Sequence, residues 1–200
     1  MKKFAILMSF FVLLTGCLES STLSDEEKVL PSTAQVNFER SIVDIDYDQS
    51  YIAFTGTKNS FSASHQGEFE KYTVQIALDE AEPTNLEKAD VTVAIDITSL
   101  ITENNSVTGH LLESDYFDTE TFPMATFVST SLKNIGDQEY EMSGDLMIKE
   151  VSKSVTFTAN ITNDYAVFKH ELNRLDFGIG EENHVDVPVP LEVKLVFKNA

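Results

Sequence analysis

The last stretch of the chain, "VDVPVPLEVKLVFK", alternates without a break, with Val187, Val189, Leu191, Val193, Leu195 and Phe197 in one phase. Apolar side chains at every second residue share a surface only in an extended strand, where successive side chains point to opposite faces. A helix would scatter them round its circumference. The same period recurs upstream. "YTVQIALD" puts Tyr72, Val74, Ile76 and Leu78 on one face, and "ADVTVAIDITSL" does so with Val91, Val93, Ile95 and Ile97. "EYEMSGDLMI" offers Tyr140, Met142, Leu146 and Ile148, and "SVTFTANI" offers Val155, Phe157, Ala159 and Ile161. Turn-forming runs such as "KNIGDQ" and "TNDY" separate these segments at hairpin spacing. The pattern predicts about eight half-buried antiparallel strands, arranged as a sandwich or an up-and-down barrel. The interior of a small barrel is either filled by side chains or holds one small ligand, and periodicity alone does not choose.

Two interruptions carry information. Pro188 and Pro190 fall on the outward phase of the last strand, and neither can donate to a ladder. That part of the strand is expected at an edge or a bulge. From Asn105 to Phe122 the spacing of Val107, His110, Leu111, Ser114 and Tyr116 is nearer helical, and Pro123 ends it before "MATFVSTSL" resumes as a strand. A short helix or pair of turns there would cap one end of a barrel.

The N-terminus reads as a targeting segment. Met1-Lys2-Lys3 precedes the apolar run "FAILMSFFVLL", too short to span a bilayer as a helix, which takes about 20 apolar residues. "LTGC", Leu14 to Cys17, is similar to a bacterial lipobox, so residues 1–16 are expected to be a signal peptide and Cys17 a lipid anchor. Two or three acyl chains give stable anchoring where one is marginal. Leu18 stands where an inner-membrane lipoprotein of the enteric type would often carry Asp, which favours the outer membrane with the domain in the periplasm. Residues 17–34 read as the lipidated cysteine and a polar tether, and residues 35–200 as one domain. Cys17 is the only cysteine, so no intrachain disulfide forms and the core must hold the domain.

Composition excludes one class of partner. With 14 Lys plus Arg against 33 Asp plus Glu, the net charge of −19 repels nucleic acid phosphates. Sites for chemistry are sparse. His110 lies among Glu113, Asp115, Asp118 and Glu120, but no H-E-x-x-H, C-x-x-C or H-x-H spacing occurs, and His65, His110, His170 and His184 are scattered. No G-x-S-x-G elbow is present. Gly178 and Gly180 lack the lysine of a phosphate loop, and Asp44, Asp46 and Asp48 lack the later positions of a calcium loop.

Four blocks, in order, resemble the YceI-like family of lipocalin-like, polyisoprenoid-binding periplasmic proteins. "QSYIAFTGTKNSFSASHQGEF" is similar to its opening hairpin, through Gly56, Lys58, His65 and Gly67. "DITSLITENNSVTGHLLESDYFDTETFPMATF" is similar to its Ile-Asp-x-x-Ser strand end, His-Leu pair and acidic-aromatic segment. "MSGDLMIKEVSKSVTF" carries Gly144, Leu146, Ile148, Lys153 and Val155 at the hairpin positions, and "NRLDFGIG" matches Arg-x-Asp-Phe-Gly-Ile. Thr108 and Gly109 depart from an Arg-Asp pair found in many members, and Gln49 replaces a frequent His.

The resemblance implies an all-β, extended eight-stranded antiparallel barrel with a lipid tail in its bore and no cofactor. Residues expected to line the bore are Phe54, Val74, Ile76, Val93, Ile95, Phe127, Leu146, Phe157, Phe168 and Val193. Lys58, His65, His110 and Arg174 are expected at a headgroup or mouth. The function this implies is membrane-anchored, non-catalytic carriage of an isoprenoid or quinone-type lipid. A homodimer is compatible with such a barrel. The competing readings are an enzyme acting on a lipid headgroup through His110 and Asp115, and a non-catalytic envelope stress or interaction protein.

Overall fold

Each alternating segment is a strand in the computed structural model, which describes residues 41–58, 63–181 and 186–198. Signal peptide, tether, Cys17 and His184 lie outside the described residues. In chain order the strands are β1 (Ser41–Ile42), β2 (Tyr51–Lys58), β3 (Ala63–Phe69), β4 (Tyr72–Leu78), β5 (Asp90–Asp96) and β6 (Leu100–Thr102). Helix α1 (Asn105–Leu112) follows, then β7 (Met124–Asn134), β8 (Glu139–Ile148), β9 (Val151–Ile161), β10 (Tyr165–Asn173) and β11 (Pro188–Val196).

All pairings are antiparallel, in the order β1-β4-β5-β7-β8-β9-β10-β11-β2-β3-β6. The registers show how this row closes. β3 and β4 run the same way and are joined only by Glu70–Lys71, while β5 and β6 are joined by a 3₁₀ turn at Ile97–Ser99. β4 pairs with β5 and β3 pairs with β6, so these are two long bent strands side by side. Together with β2, β7, β8, β9, β10 and β11 they make the eight-stranded ring the family resemblance implies. Both bends lie at Ser99, a buried residue whose Oγ donates to Asp96 O at 2.6 Å and accepts from Lys71 N at 2.9 Å. Its own carbonyl accepts Glu70 N at 3.2 Å. Asp96 Oδ1 accepts Thr98 N at 3.0 Å, so the Ile-Asp-x-x-Ser stretch is the corner of the barrel.

Burial follows the predicted phase. Ile52 on β2, Val74 and Ile76 on β4, Met142, Leu146 and Ile148 on β8, and Val155, Phe157 and Ala159 on β9 are all buried, with exposed residues interleaved. Phe127 and Phe157 meet edge to face at 5.4 Å, and with Leu132, Met142, Phe168 and Leu195 they fill the end of the barrel away from α1. Gly144 on β8 is required there, because a Cβ would collide with the Phe127 ring and the Val128 carbonyl.

Two ladders stop short. β9 pairs with β10 only from Thr158↔Lys169 to Ile161↔Ala166, and β11 pairs with β2 only from Lys194↔Tyr51 to Leu191↔Phe54. β10 and β11 stay paired over nine residue pairs, from Tyr165↔Val196 to Asn173↔Pro188. The β10–β11 hairpin therefore separates from both neighbours towards the α1 end. The prolines explain one side of this. Val196 turns its N–H to Ser50 Oγ at 2.9 Å and its carbonyl to Asp46 N at 2.8 Å, so the even residues of β11 face β2. Pro188 and Pro190 share that phase and have no N–H to offer. The expected edge is thus internal to a closed ring: a strand laddered on one side and open on the other.

Candidate functional site

The α1 end is capped by a segment that begins as a helix. Asn104 Oδ1 accepts Ser106 N at 2.9 Å, the hydrogen bond that starts α1. The helix ends at Leu112, and turns continue to Phe122, with Asp118 at φ 51° accepting Phe122 N at 2.8 Å. Phe117 is buried, packs against Phe69 at 6.2 Å and is held by its N–H on Leu111 O at 3.1 Å. Two anchors tie this cap to the rest of the barrel. Gly180 N donates to Asp115 O at 2.9 Å, and Lys149 Nζ donates to Tyr116 O at 2.8 Å and Gly178 O at 3.0 Å.

Beneath the cap lies a cavity of about 510 Å³, within the usual size of small-molecule sites. Phe54, Phe69, Ile95, Ile97, Leu111, Phe117, Leu146, Ile148, Leu172 and Leu191 supply most of its wall. The polar groups on it are few: Thr57, His65, Ser106, His110, Tyr116 and Arg174. Of the expected bore residues, Phe54, Ile95 and Leu146 line this cavity. Val74, Ile76, Phe127, Phe157 and Phe168 are buried in the packed interior, and Val93 and Val193 lie half-buried against it.

Three of the four expected mouth groups, His65, His110 and Arg174, stand on the cavity wall and are already engaged. His65 Nδ1 is bonded to Glu103 Oε1 at 2.5 Å, which holds the Glu103 carboxyl below its ordinary range. His110 Nδ1 is bonded to Glu113 Oε2 at 3.0 Å, on the exposed side of α1, and its ring stands edge-on to Tyr116 at 4.9 Å. Asp115, paired with His110 in the enzymatic reading, is exposed. Arg174 is buried and donates to Ile179 O and Glu181 O at 2.6 Å and to Asp186 O at 3.2 Å. It therefore organises the β10–β11 connection from inside. Lys58 ends β2, and its side chain lies outside the described residues. Among the described residues no group of three His, Cys, Asp or Glu is placed to hold a metal ion.

Sequence reasoning assigned no role to three groups. Lys149 bonds the cap. His170 Nδ1 is bonded to Thr156 O at 2.8 Å, just past the last β9–β10 pair. Tyr51, Glu192 and Lys169 form a chain on the outer wall: the Tyr51 hydroxyl donates to Glu192, and Lys169 Nζ lies 3.1 Å from the same carboxylate. Only the Pro188/Pro190 pair signalled that this wall is special. The bond to Glu192, with burial second, pushes the Tyr51 phenol up to about 12, and Tyr51 with Lys169 keeps the Glu192 carboxyl low. Tyr72 is also pushed up to about 12, first by burial, and its hydroxyl has no hydrogen-bond partner among the described residues.

An eight-stranded antiparallel ring with one end packed, the other capped and an apolar cavity between belongs to the lipocalin-like class of small barrels. The chain belongs to the YceI-like family, whose domain model matches residues 44–198. Protein YceI of Escherichia coli O6:H1 is 38% identical over 96 residues, 48% of this chain and 48% of its own length. A UPF0312 protein of Pseudomonas putida is 28% identical over 122 residues, 61% of this chain and 62% of its own. The chain thus spans 48% to 62% of the length of these relatives. In structure it is similar to BcnA of Burkholderia cenocepacia, with a TM-score of 0.67 at 23% identity, covering 76% of this chain and 99% of that one. It is also similar to a polyisoprenoid binding domain from Saccharophagus degradans, with a TM-score of 0.58 at 14% identity, covering 81% and 100%. At those identities the likeness is one of fold.

Proposed function

We propose that this protein binds a long apolar lipid of the isoprenoid or quinone type and holds it without chemical change. The observation that carries this reading is the cavity under the cap, walled by Phe54, Phe69, Ile95, Leu146 and Leu191 in a YceI-like barrel. Each buried methylene contributes about 0.8 kcal/mol, so a few isoprene units suffice for firm binding to a preformed apolar surface. The solved neighbour described as a polyisoprenoid binding domain supports the same ligand class. His110 serves the cap, bonded to Glu113 and packed on Tyr116, rather than a reaction. In this reading Cys17 anchors the protein in the outer membrane and residues 17–34 hold the barrel in the periplasm.

Lipids extracted from protein purified out of native membranes should contain an isoprenoid molecule in stoichiometric amount by mass spectrometry. Protein that carries none, and that also fails to take up geranylgeraniol, would sink the proposal. Cys17→Ala should move the protein from the membrane to the soluble fraction; unchanged fractionation would refute the anchor.

A further inference from the structure

The cavity has a neighbour on the far side of the barrel wall. A trough of about 1270 Å³ runs over the outer faces of β9, β10, β11, β2, β3 and β6. Its lining mixes apolar and polar surface, and on it Glu68, Glu103, Glu171 and Glu192 stand against the ammonium of Lys169. Phe54 and Leu191 are lined up on both sides: they are half-buried, they bound the inner cavity, and they bound the outer trough. They are also the last pair of the β11–β2 ladder. Beyond them Thr55 and Gly56 face Val189 and Pro190 without a ladder bond, until Asp186 N reaches Thr57 O at 2.8 Å. A Cβ on Gly56 would meet only His65 O, at 4.0 Å, an ordinary van der Waals contact. The matching gap between β9 and β10 is bridged by His170 on Thr156 O.

From this we infer that the β2–β11 gap is a side opening through which the ligand's polar head leaves the bore and lies in the outer trough, with Phe54 and Leu191 as its sill. This rests on the lipid-binding reading and adds to it a route and a head chemistry. Lys149 and the Gly180–Asp115 bond fasten the cap at Tyr116 and Asp115, and packed side chains fill the opposite end. Four carboxylates against one ammonium, on a chain of net charge −19, repel a phosphate. The head is therefore uncharged, a hydroxyl or a quinone carbonyl, able to bond Tyr51, Gln66 or Thr55 along the trough.

The test uses the full-length protein in lipid nanodiscs with geranylgeraniol as probe. In the double variant Thr55→Cys/Pro190→Cys, a disulfide would close the gap. Empty protein should oxidise readily, and protein loaded with probe at least tenfold more slowly, because the chain crosses the gap. Equal oxidation rates would overturn the inference. The chain has no tryptophan, so Thr55→Trp and Val107→Trp each give a single reporter, outside the wall and under the cap. A geranylgeranyl chain with a nitroxide head should quench the first more strongly than the second; the reverse order places the head under the cap. Geranylgeranyl diphosphate should bind at least tenfold more weakly than the alcohol at low salt, and tighter binding of the diphosphate refutes the head assignment. If the probe binds none of these proteins, the lipid-binding reading itself fails.

Discussion

The two ends of the barrel are built from the same alternating pattern and finish differently. Away from α1 the strands from β7 to β11 are laddered to both neighbours, and Phe127, Phe157, Phe168, Met142 and Leu195 close the interior. Towards α1 the β10–β11 hairpin parts from β9 and β2, and the interior widens into a cavity. The residues there are no less apolar. What differs is that inward side chains fill a barrel only when the strands hold them close enough to touch, and that distance is set by ladder continuity. Where Pro188 and Pro190 withhold donors, the wall spreads and the same kinds of side chain line a space.

The largest expected contrast is in cavity formation. Phe127→Ala should destabilise the fold by about 3–5 kcal/mol, since it empties a packed site, whereas Leu146→Ala, beside an existing cavity, should cost about 2 kcal/mol. Midpoints of denaturant unfolding measure both, and equal losses would break the distinction between the two ends. Next in size, Gly144→Ala should cost about 1–3 kcal/mol, because the Phe127 ring and the Val128 carbonyl must move. Lys149→Ala removes the bridge between Tyr116 O of the cap and Gly178 O, worth about 1 kcal/mol at this partly exposed position. Its signature should be local: faster amide exchange from Glu113 to Phe122 with little change at Met142 or Phe157. Uniform acceleration would mean that cap and packed end open together.

The smallest effect is a matter of pH. In the folded protein the phenols of Tyr51 and Tyr72 are pushed up to about 12, well above the ordinary tyrosine range. A raised phenol leaves stability intact below pH 10 and withdraws it as pH climbs from 10 towards 12 and beyond, because the unfolded chain ionises first. Absorbance of tyrosinate should show two of the six tyrosines titrating late, and Tyr72→Phe should remove one of them. That change should also raise stability by up to about 1 kcal/mol, since it deletes a buried hydroxyl that has no partner among the described residues. A loss of stability instead would show that the hydroxyl is bonded in solution.

How much of this was legible beforehand varies by residue. The strand phases of Val74, Ile76, Phe157 and Leu195 came from spacing alone, because a period of two survives any sheet geometry. The helical break at Asn105 was visible for the same reason, though α1 proper ends at Leu112 and backbone bonds to Glu113 and Asp118 shape the rest. Lys149 gave no signal, since its partners are carbonyls of distant turns, and carbonyls have no sequence signature. Arg174 stood out by type, but only its burial and its bonds to Ile179, Glu181 and Asp186 reveal an organiser of the loop. The mouth expected from Lys58, His65, His110 and Arg174 drew on charge, which does not say who already holds whom.

By itself, then, the order of residues determined the alternation, the positions where no donor exists and the acidity of the surface, all of which are local or additive properties. Tertiary structure decided the rest: that four short strands join into two bent ones, that Phe54 and Leu191 stand between a cavity and a trough, and that the two histidines on the cavity wall are paired. These depend on which distant segments meet, and the free energy of such meetings belongs to the packed ensemble rather than to any stretch of chain.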